Sequence, residues 1–495
     1  MTSDPVEHLD VLVVGAGLSG IGAAHHLQTS CPWASYAIFE ARDSIGGTWD
    51  LFRYPGLRSD SDMHTLGYSF RPWSGEKTIA DGASILQYIK DTAAEDGSDQ
   101  KIRFHHRIVR AEWSTADARW TITAERTDTG ETVELTCGFV LSCSGYYRYD
   151  HGYLPDFAGM DDFTGQIVHP QTWPEDLDYA GKKVVVIGSG ATAITLIPSL
   201  AATAEHVTML QRSPTYVAAR PSKDPVVRLL RRLPARFSAP AVRWTFALGT
   251  QATYFISKLR PELVKRVIRR GAQRELPKGY DLRHFTPTYN PWDQRLCVDA
   301  DGGLFKAIRN GKASVVTDHV DTFTERGVRL QSGEELEADI IVTATGLEVL
   351  FIGGIEVTVD GEKIDISERL TYKGMMLEGV PNIAMAIGYT NASWTLKCDL
   401  TCGYVTKLLN HLHDHDLRQC TPRTSGREVS DGTVLGLQSG YVQRAAHLLP
   451  QQGAAFPWRV SQSYITDYRA MKLKSIDDGV MQFTNPVREP AGSAS

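Results

Sequence analysis

"DVLVVGAGLSG", residues 10–20, decides the fold. The β-branched run Val11–Val14 fits a short strand buried on both faces. It ends in Gly15, Gly17 and Gly20, the spacing at which a strand turns tightly into a helix whose N-terminus meets a pyrophosphate. The helix continues through "IGAAHHLQTS", and a second strand follows at "SYAIFEA", 35–41. That strand carries Glu40 about 20 residues beyond the last glycine, where a ribose 2′-hydroxyl requires an acceptor. Glycine triplets alone are common. A strand before them, a helix after them and an acid at the right distance make this one a dinucleotide site for a free ribose.

The pattern recurs. "KKVVVIGSGATA", 182–193, is again a strand running into Gly188 and Gly190, with Ala193 in the third place, still small enough for close helix–strand packing. The following strand, "HVTMLQRSP", ends in Arg212 and not in an acid. A carboxylate there would repel a 2′-phosphate, whereas a guanidinium holds it with two hydrogen bonds. The expected fold class is therefore α/β, with two Rossmann-like dinucleotide-binding domains, FAD in the first and NADPH in the second. The expected segments are an FAD-binding part at 1–150, an NADP-binding part at 151–220, a helical insertion at 221–285, the rest of the NADP domain at 286–337, and the remaining FAD domain with the C-terminal region at 338–495. In this reading "ADIIVTATG", 338–346, is the strand that returns the chain to the FAD domain. "LEGVPNIAMAIGYTNASWTLKCDL", 377–400, reads as strand, loop and helix, with the helix N-terminus facing the flavin.

The bulk numbers narrow the partners. A length of 495 residues suggests two or three domains, and a net charge of −6 argues against nucleic acid as the main partner. Seven scattered cysteines do not make a disulfide framework and fit a reducing cytosol. Cys398 and Cys402 have no Cys/His pair nearby to complete a zinc site, so no metal is expected. "MTSDPVEHLD" has no basic segment of a secretory signal, and no apolar run reaches membrane-spanning length, so a cytoplasmic location is expected. Between residues 212 and 283 there are seventeen Lys/Arg against four Asp/Glu, in helical patterns such as "VRWTFALGTQATYFISKLR". Two readings stay open for this insertion: a cover over the active site and substrate entrance, or a basic amphipathic face in peripheral contact with anionic lipid. The tail "VREPAGSAS" is expected to be disordered.

Which flavin chemistry follows is decided largely by elimination. Disulfide reductases need a redox cysteine pair soon after the first motif, and "ARDSIGGTWDLFRYPGLRSDSDM", 41–63, has no cysteine. Simple dehydrogenases have little need of a second dinucleotide site, and a non-enzymatic flavin-fold protein has no reason to keep Arg212. A monooxygenase remains.

"GGTWDLFRYPGLRSD", 46–60, and "FTGQIVHPQTWP", 163–174, resemble the two fingerprints of Baeyer–Villiger monooxygenases. Gly47, Trp49, Tyr54, Pro55, Gly56 and Asp60 fit the first; Phe163, Gly165, His169, Trp173 and Pro174 fit the second. "GTWDLFRYPGLRSDSDM" and "YNPWDQRLC" are similar in particular to the ethionamide-monooxygenase branch. The resemblance implies insertion of one oxygen atom of O2 next to a ketone carbonyl through a flavin C4a-peroxide, giving an ester or lactone, with sulfides or thioamides oxidised as well. It sets Gly47, Thr48 and Trp49 beside FAD. It makes Arg295 the cation that stabilises the oxyanion and Asp60 its carboxylate partner, with Asp62 as the rival acid. His169 and Trp173 become residues that couple rotation of the NADP domain to the flavin; a purely structural histidine is the alternative. One departure stands out: the lysine that other branches place before the active-site arginine is Gln294 here, which leaves the 2′-phosphate to Arg212. Two further readings remain, a flavin monooxygenase acting on N or S, and a non-oxygenating NADPH oxidase.

Overall fold

The apolar run before Gly15 becomes the strand His8–Val14, held between parallel neighbours Tyr36–Phe39 and Thr132–Ser142. The computed structural model describes residues 6–486 except 295, 427, 437 and 438. Arg295 and the tail 487–495 therefore lie outside the described residues. The strand sits inside a nine-stranded sheet that continues on one side to Ile102–Arg103 and on the other through the antiparallel strands Arg119–Arg126 and His106–Ser114 to Glu356–Val359. Ile383–Met385 adds in parallel to Thr132–Ser142. Alternation along His8–Val14 splits the core. Val11 and Val13 face the helices Leu18–Ser30, Gly82–Asp96 and Trp394–Asp414, while Leu12 and Val14 face a second cluster containing Trp113, Trp120 and Ile122.

The second glycine pattern builds a separate, wholly parallel sheet in the order Ala313–Thr317, His206–Gln211, Lys183–Ile187, Ile340–Thr343, Gln166–Val168. This moves an expected boundary. Ile340–Thr343 is not the strand that re-enters the first sheet: it is buried throughout and hydrogen-bonds between Lys183–Ile187 and Gln166–Val168. The chain leaves the second sheet only after Thr343. Its two crossings then run side by side, with Arg148 N donating to Glu348 O (2.7 Å), Leu350 N to Tyr146 O (3.1 Å) and Tyr153 N to Gly346 O (3.1 Å).

The insertion is helical, as its pattern predicts: Pro225–Leu230, Ala235–Leu259 and Pro261–Glu275. The strands before and after it, Val217–Arg220 and Cys297–Ala300, pair in parallel and close its base. Among the described residues no helix is long and apolar enough to cross a membrane.

Candidate active site

Each glycine loop distributes its three small residues in the same way. Gly15 has φ +97°, a region that favours glycine, and a Cβ there would lie 2.8 Å from Cys143 O. A Cβ on Gly20 would lie 1.8 Å from Gly15 O, so the helix sits directly on the turn. Gly17 between them has only Gly47 nearby, its Cα at 3.6 Å and its N at 3.9 Å, at ordinary contact distance. In the second loop Gly188 has φ +138° and would drive a Cβ to 2.2 Å from Ala344 O, Ala193 is fully buried, and Gly190 has nothing within 4 Å. One position turns the chain, one packs the helix, and one leaves bare backbone facing outward, where a phosphate can approach. Glu40 is buried beside the first loop, its Oε2 accepting from Ala16 N at 2.7 Å and its Oε1 from Arg42 N at 3.0 Å.

The first loop and the start of the helix that follows the second loop open onto one cavity of about 480 Å³. Gly17, Gly47, Thr48, Trp49 and Asp60 line it from the first fingerprint, and Ala191, Thr192 and Thr195 from the helix after the second loop. Gly56 explains why that fingerprint needs a glycine: with φ +78°, a Cβ would strike Ser199 Oγ at 2.1 Å and Thr195 O at 2.9 Å. The loop bearing Asp60 is thus pressed against the helix of the other glycine motif. Asp60 also raises the hydroxyl pKa of Tyr54, which burial has already pushed up, to about 12. The rival Asp62 has a different task. Its carboxylate caps the helix Met63–Leu66, accepting from Thr65 N at 2.8 Å and from the Thr65 hydroxyl at 2.6 Å, and burial raises its pKa.

Arg295 lies outside the described residues, but its neighbours Trp292 and Leu296 line the same cavity as Asp60. Trp292 holds φ +71°, strain of about 1–2 kcal/mol for a non-glycine residue, and its ring meets Tyr254 of the insertion edge-on at 6.0 Å. Arg212 follows the strand His206–Gln211 at an exposed position and makes no ion pair with a described residue. It does not line the cavity; it stands at the carboxyl edge of the sheet beside the second loop.

His169 and Trp173 are not in the cavity wall. His169 Nδ1 accepts from Gln171 N at 3.1 Å and so caps the turn Pro170–Thr172. Its ring packs on Gly152, where a Cβ would come within 2.0 Å of Cε1, and its buried Nε2 has no well-formed hydrogen bond. Burial lowers its pKa, so it is neutral at pH 7. The ring therefore rests on the paired crossings between the sheets. Trp173 is 8% exposed and belongs to the core of the second sheet. The described residues contain no cluster of three His, Cys, Asp or Glu that could hold a metal, and Cys398 and Cys402 are buried thiols.

Residues 76–360 match the flavin-binding monooxygenase-like family, and residues 13–74 match an NAD(P)-binding Rossmann-like domain. The chain is 53% identical over 480 residues to the FAD-containing monooxygenase EthA of Mycobacterium tuberculosis, covering 96% of this chain and 98% of that one. The chain belongs to the flavin-binding monooxygenase-like family. The probable FAD-binding monooxygenase AlmA of Acinetobacter baylyi is 47% identical over 481 residues, 96% of each chain. Among solved structures, an oxidised steroid monooxygenase bound to NADP superposes with a TM-score of 0.75 at 21% identity, over 97% of this chain and 100% of the other. An open cyclohexanone monooxygenase gives 0.70 at 22% identity, over 85% and 90%. At that identity the likeness concerns the fold, and it is the fold expected. The chain is a class B flavin-dependent monooxygenase of the EthA-like branch.

Two features of this monooxygenase escaped the motifs. Tyr146, Tyr147 and Tyr149, in the first crossing, form an aromatic wall of the cavity: Tyr146 stacks on Trp394 at 5.2 Å, Tyr147 stacks on Tyr149 at 5.3 Å, and the Tyr147 hydroxyl is hydrogen-bonded to Thr48. The run "YYRY" was the available signal. Arg444 is the other. Its guanidinium lies 3.4 Å from the centre of the Tyr153 ring and forms no ion pair with a described carboxylate. Burial and the nearby charge of Arg212 lower its pKa. A Cβ on Gly346, just beyond the strand Ile340–Thr343, would lie 3.9 Å from an Arg444 amino group, so a second cation stands near the carboxyl edge of the second sheet, where the sequence left Arg212 alone.

Proposed function

We propose that this flavin monooxygenase is a Baeyer–Villiger enzyme, inserting one oxygen atom of O2 beside a ketone carbonyl to give an ester or lactone, and oxidising sulfur in sulfides or thioamides as well. Its cofactors are FAD and NADPH. The observation that carries the reading is the shared cavity: the first glycine loop, the helix that opens at the second, Asp60, and Trp292 and Leu296 on either side of position 295 all line it. A nicotinamide and a flavin can then lie within reach of one another and of a small substrate.

The residues fit the two cofactors. Gly17 and Gly190 leave bare backbone for the two pyrophosphates, with Gly15, Gly20, Gly188 and Ala193 fixing the turns around them. Glu40 has acceptor capacity left for a ribose hydroxyl, and Gly47, Thr48 and Trp49, which line the cavity, would hold the flavin. Arg212, joined by Arg444, takes the 2′-phosphate end. FAD, when bound, accepts hydride from NADPH and activates O2. Asp60 fixes Arg295, whose permanent charge stabilises the negative oxygen that develops on the attacked ketone. Trp49, Tyr146, Tyr147 and Trp394 exclude the water that would divert activated oxygen to peroxide. His169, resting on the crossings, couples movement of the NADP sheet to the cavity. We place the enzyme in the cytoplasm, a compartment that suits seven free, buried cysteines.

The test is product analysis on the FAD-loaded enzyme with NADPH and air, offered a linear ketone and an aryl methyl sulfide in separate reactions. Ester from the ketone is expected. Sulfoxide with the ketone untouched assigns N/S oxygenation instead. Hydrogen peroxide equal to the NADPH consumed, with neither substrate changed, makes the protein an oxidase.

A further inference from the structure

The helix Ala235–Leu259 turns an apolar stripe to the solvent. Its outward stripe follows the helical period through Phe237, Leu248, Phe255, Ile256 and Leu259, all exposed, Leu259 to 78%, while Trp244 at its edge packs on Tyr464 and Tyr468. Its buried positions mix apolar Val242 and Ala247 with polar groups. Gln251 is buried and accepts from Tyr464 N at 3.0 Å, and Ser257 is buried and donates to Thr253 O at 2.7 Å. The neighbouring helices extend the outward surface with Val226, Leu229, Leu263 and Val267. Eleven of the eighteen exposed large apolar side chains among the described residues lie between Val226 and Val267, which makes a patch and not scatter.

Charge says what covers it. Residues 225–275 hold twelve Lys/Arg and two Glu, although the whole chain is −6. Arg228, Arg232, Arg266, Arg269, Arg270 and Arg274 are exposed and make no ion pair with a described carboxylate. An apolar patch ringed by unpaired cations matches the hydrocarbon and the anionic headgroups of a cytoplasmic leaflet. A second copy of this chain fits worse, because a self-complementary contact would bring the two cationic rims together.

We propose that the insertion docks this enzyme on an anionic bilayer surface, with the stripe of Ala235–Leu259 seated among the headgroups. The opposite face of the same helix gives Phe246, Thr250 and Thr253 to the wall of the catalytic cavity. Docking sets that wall one helix away from lipid, so the substrates it favours are ketones or sulfides that partition into the bilayer. This delivery role rests on the oxygenase reading; the docking does not.

The experiment is flotation of the FAD-loaded protein with vesicles of phosphatidylcholine alone or with about one-third phosphatidylglycerol. Binding to the anionic vesicles is expected to be at least about tenfold tighter. Two exposed-surface variants, F255S/L259S and R266Q/R269Q/R270Q, are expected to weaken it at least about tenfold and about a hundredfold while keeping their FAD and unfolding midpoint. Equal recovery with both vesicles, or variants that float like the parent, overturns the proposal. So does a concentration-dependent dimer, abolished by F255S/L259S, in protein that does not float. Because flotation reads no turnover, loss of the oxygenase reading would leave this result standing, and the converse also holds.

Discussion

Gly188 and Gly190, two residues apart, should fail in opposite ways when changed to alanine. At Gly188 the backbone has φ +138° and the new Cβ would lie 2.2 Å from Ala344 O and 3.0 Å from its carbonyl carbon. The conformation alone costs about 1–2 kcal/mol, and a clash with backbone cannot be relieved by a rotamer, so Gly188→Ala should lower stability by several kcal/mol. At Gly190, φ is −77° and ψ −175°, ordinary extended values at the N-cap of the helix Ala191–Leu200, and the Cβ meets nothing within 4 Å. Alanine is a poorer N-cap than glycine by about 0.5–1 kcal/mol, and the loss of unfolded-chain entropy returns a similar amount. Gly190→Ala should therefore unfold within roughly 2 °C of the parent. A pyrophosphate that uses this bare backbone meets the methyl group and loses a charge-assisted hydrogen bond worth about 1.5–3 kcal/mol. KM for NADPH should rise about 10- to 150-fold with FAD content unchanged. The assay is NADPH-dependent flavin reduction under anaerobic conditions, beside thermal unfolding of the FAD-loaded protein. Parental NADPH affinity in Gly190→Ala would refute the assignment of this loop to the NADP pyrophosphate.

Further outcomes follow from the same structure. Arg212→Ala and Arg444→Ala should each raise KM for NADPH by about tenfold or more and leave KM for NADH nearly unchanged, read from initial rates of flavin reduction. Arg295→Ala and Asp60→Ala should keep reduction by NADPH and lose ester formation, read by gas chromatography of the product. Lys397 pairs with Asp467 at 2.8 Å, with the two side chains 3% and 4% exposed, so Lys397→Met strands a buried carboxylate and should cost about 3–5 kcal/mol in urea unfolding. Burial and the Arg231 charge depress the His64 pKa from 6.5 to about 4. The unfolded chain then binds the extra proton first, so stability is full above 6.5 and falls as pH drops towards 4; from pH 7.5 to 5.5 the loss should be about 1.4 kcal/mol, and His64→Gln should remove that share.

Much of this molecule was legible because its motifs are local. Strand, glycines, helix and acid lie within one stretch, and each expected strand and helix around Gly15 and Gly188 formed where the pattern put it. Partnership across the chain was less legible. The apolar run at Ile340–Thr343 announces a buried strand but not the sheet that buries it, which is why its membership was misassigned. Arg444 reaches Tyr153 and Gly346 in the two crossings from far along the chain, and no spacing encodes that. Helical periodicity gives Ala235–Leu259 more than one apolar position per turn without saying which turn inward; only the fold shows that Phe255 and Leu259 face out while Val242 and Ala247 are buried. The tie between Gly56 and Ser199 likewise gives a physical cause, contact with the second motif's helix, to a residue that was otherwise part of a pattern.

The most direct measurement of the central claim uses oxygen-18 gas. The FAD-loaded enzyme, NADPH and a linear ketone react under labelled O2, and the product is analysed by mass spectrometry. An ester carrying one heavy oxygen atom, with one NADPH consumed per ester, is the predicted result. Unlabelled, unchanged ketone beside labelled hydrogen peroxide would contradict it.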